Sequence, residues 1–92
     1  MEKSILLVDD EEGIRKVLGI ALSDMGYHVR TAENGVEALR IFEDERPPIV
    51  LTDIKMPEMD GIELLRRIKK VNPDTEVIMI TGHGDMDLAI KS

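Results

Sequence analysis

Apolar positions along the chain form four short unbroken runs, and helical periodicity follows the first three. Ser4-Ile5-Leu6-Leu7-Val8 shows no alternation, which predicts a strand buried on both faces, as in a parallel sheet. After Asp9-Asp10-Glu11-Glu12, residues Ile14, Val17, Leu18, Ala21, Leu22 and Met25 recur as one stripe of an amphipathic helix, and Gly26 stands where a helix-terminating glycine belongs. Residues 27–32 predict a second strand. Asn34 with Glu37 three residues on predicts a helix start, and Arg46-Pro47-Pro48 ends the helix that runs through about Glu43. Ile49-Val50-Leu51-Thr52 is the third strand and delivers Asp53 at its C-terminal end. Asp60-Gly61-Ile62-Glu63 repeats the capping arrangement and opens a helix with Leu64, Leu65, Ile68 and Val71 facing inward, stopped by Asn72-Pro73-Asp74. Val77-Ile78-Met79-Ile80 is the fourth strand, Thr81-Gly82-His83-Gly84 a turn, and Asp85 the cap of a last helix running to Ser92. A helix of about two turns is marginal in water.

Strand and helix alternating in this way predict an α/β fold with right-handed crossovers on a parallel sheet. Composition agrees: Ile, Leu, Val and Phe together number 28 of 92 residues, well above the roughly 20% below which disorder is the better expectation. One domain fills that length. Twelve basic against 19 acidic residues leave a net charge of −7, which repels phosphate backbones and anionic lipid and argues against direct nucleic-acid binding. No cysteine is present, so disulfides and thiolate metal sites are excluded, and the apolar runs are too short to span a bilayer. The expected setting is soluble and cytoplasmic.

In open parallel sheets, ligands bind beyond the carboxyl ends of the strands. That rule selects Asp9 and Asp10, Asp53, and Thr81. Two carboxylates 4 Å apart repel by about 4 kcal/mol at an effective dielectric near 20, so a bound cation or a retained proton must offset them. Oxygen-only donors point to Mg²⁺. Taken singly, Asp9 reads as a strand-ending helix cap and Thr81 as a turn residue; placed together by the fold, the three carboxylates read as a metal site. A carboxylate beside a divalent cation can attack a phosphoryl group to give an acyl phosphate, and the central Asp53 is the candidate nucleophile.

The pattern Ile5-Leu6-Leu7-Val8-Asp9-Asp10-Glu11, then Val50-Leu51-Thr52-Asp53-Ile54-Lys55-Met56-Pro57-Glu58-Met59-Asp60-Gly61, then Val77-Ile78-Met79-Ile80-Thr81-Gly82 resembles the receiver domain of two-component response regulators. The resemblance covers nearly the whole chain. It implies a doubly wound, flavodoxin-like sheet of strand order 2-1-3-4-5, in a bacterial signalling protein that is a phosphoacceptor and not an enzyme, though the family assists its own phosphorylation and dephosphorylation. Asp53 would be the phosphoacceptor; Asp9 and Asp10, with Asp53 and the backbone carbonyl of Lys55, would hold Mg²⁺. Thr81 would supply the switch hydroxyl, while Lys55 and His83 would tune the lifetime of the phosphorylated state. A histidine kinase or phosphotransfer protein would be the donor, with no direct nucleic-acid or membrane partner.

Receivers continue into a fifth strand ending in Lys-Pro and a fifth helix, and the 92 residues stop before both. The expectation is one receiver domain, C-terminally incomplete, without the phosphate-contacting lysine. The fourth strand would be an open edge and the first helix would lack a neighbour, giving a homodimer, a domain swap or an only marginally folded chain. The alternative expectation is an incomplete α/β fragment without signalling activity. An aspartate phosphohydrolase is disfavoured because Lys55 stands where its second Asp belongs, and a flavin carrier because one Tyr and one Phe offer little to stack on an isoalloxazine.

Overall fold

Among the described residues, eight elements follow one another: β1 (Ser4–Val8), α1 (Glu12–Asp24), β2 (His28–Ala32), α2 (Gly35–Glu45), β3 (Ile49–Asp53), α3 (Gly61–Val71), β4 (Glu76–Ile80) and β5 (Ala89–Lys91). The computed structural model describes residues 3–56, 58–80 and the backbone of 89–91. β1 to β4 are parallel, as the alternation of elements implied, and adjacent in the order β2-β1-β3-β4, the flavodoxin-like arrangement that the family resemblance implied.

Local chemistry explains the helix boundaries. Asn34 Oδ1 accepts the Glu37 N–H at 2.8 Å, and Glu37 Oε1 reaches back to the Glu33 N–H at 3.0 Å, so orphan donors at the start of α2 are satisfied from both sides. Asp60 does the same for α3, accepting the Glu63 N–H at 2.9 Å. α1 ends at Gly26, whose φ of 97° is open to glycine at no steric cost.

β1 and β3 lie inside the sheet, and their apolar runs are buried as expected of strands covered on both faces. Leu6, Val8 and Val50 join Phe42 from α2, Leu64 and Ile68 from α3 and Met79 from β4 in one core. α2 and α3 pack on each other as well as on the sheet. α1 covers β1 and β2 and contributes no fully buried residue: Val17 is 67% exposed and Ile20 61%. Val71, expected to face inward, lies at the exposed edge of α3.

The C-terminal end differs from expectation. Ala89–Lys91 form a strand, not a helix, and pair antiparallel with β4, with Ile80 opposite Ala89 and Ile78 opposite Lys91. β4 is therefore not an open edge. A two-turn helix would hydrogen-bond only within itself, whereas a strand satisfies ladder groups on β4 that would otherwise lack partners. Residues 85–88 of the expected helix lie outside the described residues, as do Thr81 and His83. Among the described residues, no helix is long and apolar enough to cross a membrane.

Candidate functional site

Parallel register brings the strand ends level. Val8 pairs with Ala32 on one side and Thr52 on the other, so the residues that leave β1 and β3 emerge side by side. Asp53 is the last residue of β3 and is 2% exposed; Asp9, immediately after β1, is 4% exposed. Asp10 is exposed. One carboxylate oxygen from each of Asp9, Asp10 and Asp53 can be chosen so that all three lie within 4.8 Å of one another.

Asp9 is fixed from three directions. Its N–H donates to the Ala32 carbonyl at 3.1 Å, its Oδ1 accepts the Glu11 N–H at 2.9 Å, and its carbonyl accepts a guanidinium N–H of Arg15 at 2.8 Å. Burial raises its carboxyl above the ordinary value of 3.8, and the charges of Asp53, Asp10 and Glu11 push the same way against the Glu11 N–H bond. Like charges within 4.8 Å of one another repel by about 3.5 kcal/mol or more per pair at an effective dielectric near 20. An all-oxygen donor set, two members buried and one open to solvent, with no nitrogen or sulfur ligand among the described residues, fits a hard divalent cation entering from the exposed side. The acidic cluster can therefore hold a metal.

The loop beyond Asp53 is anchored by glycines. Gly61 donates its N–H to the Ile54 carbonyl at 2.8 Å, and a Cβ added there would sit 2.4 Å from the Asp53 carbonyl oxygen. A Cβ on Gly35, at the start of α2, would meet Met59 at 2.8 to 3.0 Å. Met56 of the same loop is buried, while Lys55 is exposed two residues beyond Asp53. The sequence reading identified the three carboxylates and Lys55, and the fold brings the carboxylates together. It did not find Arg15, which sits among helix-surface residues with no distinguishing spacing. Gly61 followed a capping aspartate, a signal for the helix start but not for its contact with Asp53.

The family model for the response regulator receiver domain matches residues 5–92. The chain belongs to this family. The receiver domain is 45% identical over 88 residues to the transcriptional regulatory protein GlrR of Escherichia coli strain K12, covering 96% of this chain and 20% of that protein. It is 44% identical over 92 residues to sporulation initiation phosphotransferase F of Bacillus subtilis strain 168, covering 100% of this chain and 74% of the relative. This receiver thus spans about a fifth of the length of the first relative. A chain in the crystal structure of histidine kinase ThkA in complex with response regulator protein TrrA superposes with a TM-score of 0.81 at 40% identity, covering 96% of this chain and 77% of that one. The resemblance that rested on the three motifs is thereby established, fold and family together.

Proposed function

We propose that this receiver takes a phosphoryl group onto Asp53 from a phosphohistidine of a histidine kinase or phosphotransfer protein, with Mg²⁺ held by Asp9, Asp10, Asp53 and the Lys55 carbonyl. The observation that carries the reading is the buried Asp53 at the end of a central strand, its carboxylate clustered with those of Asp9 and Asp10. An Asp53 carboxylate oxygen attacks phosphorus, the P–N bond breaks, its electron pair returns to the imidazole, and an acyl phosphate remains on Asp53. Mg²⁺ supplies neutralising charge for the cluster and the incoming phosphoryl oxygens. Burial of Asp53 desolvates the nucleophile and confines attack to a donor seated at the strand ends. The exposed Asp10 leaves the cluster open to the cation and the donor.

Thr81 donates its hydroxyl to a phosphoryl oxygen, and Lys55 and His83 set how long the adduct survives. The resulting change of state controls an output. In this reading the chain is a cytoplasmic signalling domain and the substrate of a kinase, not an enzyme, because Asp53 is consumed in each transfer. The test is incubation with phosphoramidate and Mg²⁺, followed by mass spectrometry. A hydroxylamine-labile adduct on the wild-type chain, lost in Asp53→Asn and on chelation, is expected; Asp10→Ala weakens Mg²⁺ binding about tenfold or more. The same adduct on the Asn variant would overturn the assignment.

A further inference from the structure

We infer that Arg15 is a positioning residue that sets the aim of the Asp10 carboxylate through the peptide joining Asp9 to Asp10. The inference rests on the metal-holding reading of the acidic cluster. The Asp9 carbonyl that accepts the guanidinium of Arg15 at 2.8 Å belongs to the peptide whose nitrogen is that of Asp10. Peptide planarity means that fixing this oxygen fixes the plane from which Asp10 departs.

Arg15 is itself held. It is half-buried in the first turns of α1, and its N–H donates to the Glu11 carbonyl at 3.2 Å. Glu11 in turn donates its N–H to Asp9 Oδ1 at 2.9 Å. Arg15, Glu11 and Asp9 therefore close a ring of three contacts around the turn from β1 into α1. Without the guanidinium, the Asp9 carbonyl loses this donor, and the exposed Asp10 loses its reference plane. The guanidinium contact is to the backbone carbonyl of Asp9, the group that orients the next residue. Mutating residues behind the ligands of a metal typically costs about 10- to 100-fold in affinity.

Charge and positioning make opposite predictions. If Arg15 acted as a nearby positive charge, removing it would tighten binding of a cation. If it positions Asp10, removing it loosens binding. Isothermal titration of the full chain with Mg²⁺ separates the two, comparing wild type with Arg15→Met, which keeps most of the length and loses charge and donors, and Arg15→Lys, which keeps the charge and a donor on a different head. The expected result is about tenfold weaker binding for Met, partial recovery for Lys, and loss of hydrogen-exchange protection at the Glu11 amide in the Met variant alone. Equal or tighter binding by a folded Met variant overturns the inference while leaving the metal site standing. Should the Met variant not fold, Lys decides: a few-fold weakening supports positioning, and unchanged affinity overturns it. No binding by the wild-type chain would overturn the metal-site reading, and this inference with it.

Discussion

At the scale of single residues, burial and charge conflict at Asp9. A carboxyl whose pKa is higher folded than unfolded binds its proton more tightly in the folded chain. Its contribution to stability is therefore present at low pH and lost as pH rises from 3.8 through the raised folded value. Asp9→Asn keeps an oxygen for the Glu11 N–H and removes the charge. We expect its urea midpoint to exceed that of the metal-free wild type by an amount that grows as pH rises through that window and then levels off. Saturating Mg²⁺ should narrow the gap by stabilising only the wild type; a gap independent of pH would show that charge is not the cause. Thr75 presents a smaller conflict of the same kind. Its Oγ1 is buried with no hydrogen-bond partner among the described residues, so Thr75→Val, nearly the same shape, should raise stability by about 1 kcal/mol in chemical denaturation.

Elements convert these residues into a site by bringing turns together. Gly61 opens α3 directly against the last residue of β3. Gly61→Ala would place a methyl carbon 2.4 Å from the Asp53 carbonyl, and backbone cannot retreat as a flexible side-chain tip would. The expected outcome is a loss of about 2 kcal/mol, in the range of strained core substitutions, together with weaker cation binding because Asp53 shifts. A variant with unchanged stability would show that the loop yields freely.

The same contact shows what a sequence can and cannot disclose. Strand runs, the Asn34 and Asp60 caps and the glycine after α1 are local rules, and each element they predicted is present. The three carboxylates were legible because parallel topology alone places strand ends together. Arg15 and the packing of Gly35 and Gly61 are contacts between elements, which no local spacing encodes. At residues 89–91 the expected helix gives way to a strand for a related reason: the helical pattern was only a few residues long, and an available partner strand outweighed it.

Across the whole molecule, charge and exposed apolar surface oppose each other. α1 lays one face on β1 and β2 and leaves Val17, Ile20 and Met25 more than 60% exposed. Contiguous apolar surface promotes association, whereas a net charge of −7 makes copies of the chain repel, an effect that salt screens beyond about 10 Å at 0.1 M. β4 has its antiparallel partner in β5, so edge pairing through that strand does not supply the route that an open edge would have given. We therefore expect the weight-average mass in sedimentation equilibrium to rise as salt is increased from low to high concentration, through the α1 face. Val17→Lys with Ile20→Lys should suppress that rise. Because both positions are exposed, the pair should change unfolding free energy by less than about 1 kcal/mol, the range of surface substitutions taken twice. A rise in mass that survives both lysines would place association elsewhere, and a large loss of stability would mean that α1 packs more closely than its exposure indicates.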